Sequence, residues 1–182
     1  MKPYKLSIFT LAATLTASLV LTSCASNKDA PLATVDTVDL NRYQGKWYEV
    51  ALLPNSFQAR CVADTQAQYQ ADGEQIRVIN RCRQTDGSIE QASGVANVVE
   101  GSSNSKLRVS FFRPFYGNYW ILALDPDYQW VLVGEPGRKY GWILSRTPVL
   151  PPATLNALLD KAASLGYQRS AFRASPQTSP LN

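Results

Sequence analysis

Three cysteines, Cys24, Cys61 and Cys82, and no histidine set the chemistry open to this chain of 182 residues. Without an imidazole there is no Ser-His-Asp or Cys-His nucleophile, no histidine-ligated zinc and no histidine acid or base. A thiolate is the nucleophile left, and it would have to be free and of lowered pKa. The remaining residues of interest are aromatic or cationic: Trp47, Trp120, Trp142, Arg146 and arginines in the turns. Those types suit stacking and ion pairing around a bound molecule rather than bond making. A binding protein is therefore expected, not an enzyme, with no cofactor and no metal.

Cys24 stands apart from the other two cysteines. Met1–Lys5 is basic and Leu6–Leu21 is an apolar run diluted by Ser and Thr, the pattern of a secretory signal over residues 1–23 rather than a permanent span. The run ends Leu21-Thr22-Ser23-Cys24, which resembles the lipobox of bacterial lipoproteins, where the cysteine is acylated and becomes the first residue. Cleavage nearby that leaves a bare thiol is the alternative. Each buried methylene of a palmitate-like chain contributes about 0.8 kcal/mol, so several chains anchor almost permanently. In the same resemblance, Ala25 after the cysteine implies sorting to the outer membrane. Residues 24–38 then form the lipidated N-terminus and a tether. Export implies an oxidising compartment, so Cys61 and Cys82 read first as a structural disulfide, with a free reactive thiol as the alternative.

Removing the leader leaves roughly 160 residues, a single-domain length. At 45% hydrophobic and 18% charged residues, the chain can bury a core and is not disordered throughout. The formal charge is +4, but Lys2 and Lys5 of the leader supply half of it, and no Lys/Arg run occurs. Nucleic acid is not an expected partner.

From Lys46 onward, eight β-patterned runs fall at about 46–53, 61–70, 74–83, 88–99, 105–112, 118–125, 128–134 and 141–146, separated by turn residues such as Asp72-Gly73 and Asp86-Gly87. Hairpin-sized connections between eight strands predict an all-β, eight-stranded antiparallel up-and-down barrel, with a sandwich as the alternative. A four-residue loop at Gln70–Gly73 sets Tyr69 opposite Glu74 and Cys61 opposite Cys82, close enough for a disulfide. Tyr69, Ile76 and Val78 share the face of both cysteines. Pro151 and Pro152 open a helix whose apolar stripe is Leu155, Leu158, Leu159, Ala162 and Leu165, and Gly166 ends it. That helix is expected outside the barrel. The domain is bounded at 39–173, Ala171-Phe172-Arg173 adds a short edge strand, and residues 174–182, rich in Ser and Pro, are expected to be disordered.

Gly45-Lys46-Trp47-Tyr48-Glu49-Val50, Leu124-Asp125-Pro126-Asp127-Tyr128 and Trp142-Ile143-Leu144-Ser145-Arg146-Thr147-Pro148 resemble, in order, the three motifs of the lipocalins. The resemblance spans nearly the whole mature chain and is greatest to the bacterial outer-membrane members. Pro126 departs from the second motif, and the Cys61/Cys82 pair is not general in the family. The resemblance implies a lipid-binding and transport role, with Trp47 plugging the closed end beneath a stacked Arg146. Gly45 permits the tight turn into the first strand. Glu49 shares the inward parity of Trp47 and so needs an ion-pair or hydrogen-bond partner.

Alternation puts Leu107, Val109 and Phe111, Trp120 and Leu122, and Trp142 and Leu144 on the cavity wall, with small Gly94 and Ala96 leaving room. Trp120 and Trp142 fall where the resemblance places two ligand-facing tryptophans. The alternative is that these aromatics only fill the barrel. With Trp47 at the floor, Arg60, Arg83, Arg113, Arg138 and Lys139 lie in loops at the mouth, against Asp86 and Glu135. The ligand expected is therefore a small hydrophobic molecule or an anionic amphiphile, a fatty acid or lysophospholipid, with Arg60, Arg113 and Arg138 as rim charges. The membrane is reached through the N-terminal lipid, and both a monomer and a homodimer remain open.

Overall fold

A computed structural model describes residues 30–181. The segment expected to be a secretory signal, residues 1–23, and Cys24 lie outside the described residues. A short helix α1 (Leu40–Tyr43) leads into β1 (Gly45–Leu52), β2 (Cys61–Asp72), β3 (Gln75–Gln84), β4 (Ile89–Val98), β5 (Lys106–Phe112), β6 (Phe115–Leu124), β7 (Trp130–Gly134) and β8 (Gly141–Ser145). Helix α2 (Pro152–Ser164) and a two-residue β9 (Arg173–Ala174) follow. Each strand pairs with its sequence neighbour, and β1 also pairs with β8, so the eight close into a barrel. Closure is what removes bare strand edges from an all-antiparallel sheet.

Side-chain alternation sorts the apolar residues into two cores. Trp47, Tyr69, Ile76, Val78, Leu107, Ile121, Val131, Val133 and Leu144 form the inner one. Leu122, Leu132, Ile143, Leu158 and Ala162 form an outer one. On β7 all of Val131–Gly134 is buried, because its inner side chains enter the barrel and Leu132 lies under α2. That helix begins with Pro152 in its first turn, where the missing N–H costs nothing, and Gly166 follows it at φ 90°.

The β2–β3 hairpin corrects the expected register. A two-residue turn of Gly73 (φ 64°) and Glu74 joins the strands, pairing Asp72 with Gln75 and Tyr69 with Val78 rather than Glu74. Positive φ at glycine suits so tight a turn. The offset of four residues is even, so every side chain keeps its expected face. Two irregularities between Cys61 and Gln66 then align Cys61 with Gln84. The disulfide nonetheless joins Cys61 to Cys82, with Cα atoms 5.5 Å apart, as a diagonal link rather than a directly opposed one.

Residues 30–38 and 174–181 are held against the barrel, which is more than expected. Leu32 and Val38 are buried, and the Val35 and Val38 N–H groups donate to Ile121 O and Ser103 O, so the domain begins before residue 39. The tail is not disordered either. Pairing of β1 with β2 ends at Tyr48 and Gln66, and the tail fills the seam beyond. Ser175 N–H donates to Val50 O, and Gln177 Nε2 donates to Glu49 O (2.8 Å) and Thr65 O (2.9 Å). Strand backbone that has lost its ladder must find other partners. A Ser/Pro-rich composition carries no sign of that demand, which arises only in the folded barrel.

Candidate functional site

The floor is built around Trp47, which is fully buried and donates from Nε1 to Tyr43 O at 2.8 Å. The Arg146 guanidinium lies 3.8 Å above the Trp47 ring centroid. It donates to the carbonyls of Lys46, Arg42, Gln44 and Tyr43, and its Nε donates to Tyr128 O. A planar fork with five N–H groups can stack and cap a helix end at once, which an ammonium cannot. Gly45 sits at φ 93°, and a Cβ there would come within 3.4 Å of Arg146 Nη1. The expected plug is thus present, and its cation is held by backbone oxygens.

Above the plug, the hydroxyls of Tyr43 and Tyr69 meet that of Tyr119 at 2.7 and 2.9 Å. Burial raises all three phenols, Tyr69 to about 12, so they act as neutral hydrogen-bonding groups. Of the three, only Tyr69 is picked out by the sequence pattern as a wall residue.

Seven expected wall residues, Tyr69, Ile76, Val78, Leu107, Val109, Trp142 and Leu144, belong to the inner core. Trp120 and Leu122 do not: they pack in the outer core, with Lys106 Nζ 4.3 Å from the Trp120 ring. Leu107 pairs with Tyr119 and Lys106 with Trp120, so Tyr119 and Ile121 are the inward residues of β6. Alternation could not choose between the faces because α2 makes both of them apolar. Phe111 is 44% exposed, and its ring lies where a Cβ on Gly94 would be. The space expected from Gly94 is occupied by that ring.

Three aromatic side chains gather where β1 and β8 meet the mouth. Tyr140 and Trp142 stack at 6.2 Å, and Phe57 packs 5.3 Å from Tyr140 and 6.3 Å from Trp142. Phe57 belongs to a 3₁₀ turn, Ser56–Gln58, capped by Asn55 Oδ1 accepting from Gln58 N–H. The Gln58 amide joins two groups. Its Oε1 accepts from Trp142 Nε1 at 2.9 Å, and its Nε2 donates to Glu49 Oε2 at 2.8 Å. Glu49 is 4% exposed, and no ion pair to it occurs among the described residues. Burial pushes its carboxyl up to about 7, with hydrogen bonds from Gln58 and Ser175 opposing the rise. The partner that inward parity demanded is an amide, not a cation.

The mouth cations are less available than expected. Arg60 Nη2 is paired with Glu90 at 2.6 Å. Arg83 is paired with Asp64 at 2.6 Å and also donates to Ser179 O. Arg113 donates to Gln75 Oε1 on the outer face of β3 at 3.4 Å. Arg138 turns away from the opening and donates to Leu165 O, Pro136 O and Ala30 O. The Leu165 carbonyl is one that the C-terminal end of α2 leaves unpaired, and a nearby arginine satisfies it well. Of the three expected rim charges, therefore, Arg138 is held by backbone carbonyls, Arg60 carries its own counter-ion, and Arg113 makes one long bond to an amide. Lys139 lines a cleft of about 510 Å³ outside the barrel, with Pro54, Pro136, Gly166 and Gln168.

A family model described as a lipocalin-like domain matches residues 38–177. Outer membrane lipoprotein Blc of Vibrio cholerae is 37% identical over 154 residues, covering 82% of this chain and 88% of that protein. Temperature-induced lipocalin-1 of Arabidopsis thaliana is 36% identical over 161 residues, covering 79% and 82%. Among solved structures, insecticyanin of the tobacco hornworm Manduca sexta superposes with a TM-score of 0.68 at 23% identity, covering 82% of this chain and 86% of that one. At that identity the likeness speaks for the fold alone.

Proposed function

Since the chain belongs to the lipocalin family, we propose that it is a non-catalytic carrier that holds a single-chain lipid, a fatty acid or lysophospholipid, in the upper half of its barrel. The observation that supports this most directly is Trp142. It belongs to the inner core yet is only partly buried, and Phe57 and Tyr140 extend its apolar surface to the open end. An apolar inner wall that continues into exposed aromatic surface at one end suits an acyl chain. Binding rather than catalysis is favoured because Cys61 and Cys82, which a thiol enzyme of this fold would need free, are joined to each other. The relatives named outer membrane lipoproteins favour an acylated Cys24 and attachment to the outer membrane.

Native mass spectrometry of gently extracted protein tests both parts. One lipid per chain and an acyl modification of the N-terminal cysteine are expected. An unmodified mass, together with failure to displace an apolar fluorescent probe on adding fatty acid, would overturn the proposal.

A further inference from the structure

The mouth arginines expected to meet an anion are already engaged with other groups. Arg60, Arg83, Arg113 and Arg138 are all engaged with Glu90, Asp64, Gln75 or backbone carbonyls, and Lys139 lies along the outer cleft. The titratable group turned into the barrel beneath the mouth is Glu49, which has no cation against it among the described residues. The phenol of Tyr69 faces it from β2. Through Gln58, the same carboxyl is tied to the indole of Trp142, and Trp142 is flanked by Tyr140 and Phe57. Aromatic faces beside an unpaired acid attract ammonium groups, whose charge is spread over weakly hydrated carbons. A free carboxylate gains nothing from the same acid and π-faces and is the weaker-held head group there.

We propose that this site selects single-chain amphiphiles with an ammonium head, Glu49 supplying the negative charge and Trp142, Tyr140 and Phe57 the aromatic surface. The selection rests on the lipid-carrier reading and narrows it. The Glu49 carboxyl is buried directly behind Gln58, which with Ser175 holds it by hydrogen bonds and does not neutralise it. An arriving ammonium therefore supplies the counter-charge that the protein itself does not.

The test compares three ligands of equal chain length, decyltrimethylammonium, decanoate and decanol, each competing with an apolar fluorescent probe at pH 8. Decyltrimethylammonium is expected to bind at least about tenfold more tightly than decanoate, the scale of one desolvated cation–π contact. Glu49→Gln should abolish that preference and leave decanol unchanged. Tyr140→Leu, at the rim, should weaken the ammonium ligand severalfold more than it weakens decanol, since Leu keeps apolar surface but loses the π-face. Decanol binding with no preference between the two charged ligands would overturn the proposal and leave the carrier reading standing. Failure of all three ligands to bind would overturn both. A preference that survives in both variants would also overturn the proposal, since neither the acid nor the ring would then be its source.

Discussion

Asp64 and Arg83 meet at 2.6 Å across β2 and β3, and the same carboxylate accepts from the N–H groups of Thr178 and Ser179. The tail is thereby fastened to the barrel by a fully buried charge. Burial alone would raise the Asp64 pKa, but the bonds from Ser179, Arg83 and Thr178 outweigh it and hold the carboxyl below its ordinary 3.8.

Replacing Asp64 with Ala should cost about 3 kcal/mol, the scale for breaking a buried pair. A carboxyl with a depressed folded pKa stabilises the fold above its unfolded value, and that contribution is lost as pH falls through the lower one. Urea unfolding of wild type and Asp64→Ala should therefore differ fully at pH 7, and the difference should narrow below pH 3.8. Deleting residues 175–182 should produce a comparable loss.

Glu49 behaves in the opposite sense. Its folded pKa of about 7 lies above the ordinary 4.5, so ionisation disfavours the fold. Without ligand, the Glu49 contribution to stability should be greatest below pH 4.5, fall between 4.5 and 7, and level off above 7, by up to about 3 kcal/mol. Thermal melts across that range should show the slope in wild type and a flat profile in Glu49→Gln.

Arg146→Lys keeps the charge but loses the fork that reaches several carbonyls and lies flat on Trp47. A loss of about 2 kcal/mol is expected from the stacked contact and the orphaned carbonyls together. Chemical denaturation would measure it, and equal stability of the two proteins would contradict the role given to the guanidinium.

The two tryptophans should separate cleanly. Trp142→Ala is expected to weaken lipid binding at least about tenfold, whereas Trp120→Ala should lower the melting temperature and leave affinity unchanged. Parallel titrations with an apolar probe decide this, and equal effects on affinity would contradict the inside–outside assignment of β6.

These two residues also mark what the chain discloses before folding. Eight strands, the outer helix and the cysteine pair are legible because each rests on local spacing, such as alternation or a proline start and a glycine stop, and the Trp47–Arg146 plug is legible through the family resemblance that the motifs carry. The face of β6 is not, since Tyr119-Trp120-Ile121-Leu122 is apolar on both sides. The partners of Arg138 and the Glu49–Gln58–Trp142 chain join segments far apart in sequence, and no period announces them. Loop charge can be counted from the sequence but its direction cannot, because a long side chain can turn from the opening toward any unpaired carbonyl nearby.

Arg138 also fixes residue 30 to the end of the molecule that carries the opening. Stretched out, the chain between there and Cys24 spans roughly 20 Å. Acyl groups on Cys24 would thus keep the cup on a short leash, brim toward the bilayer, so that cargo crosses little open water between the leaflet and the container.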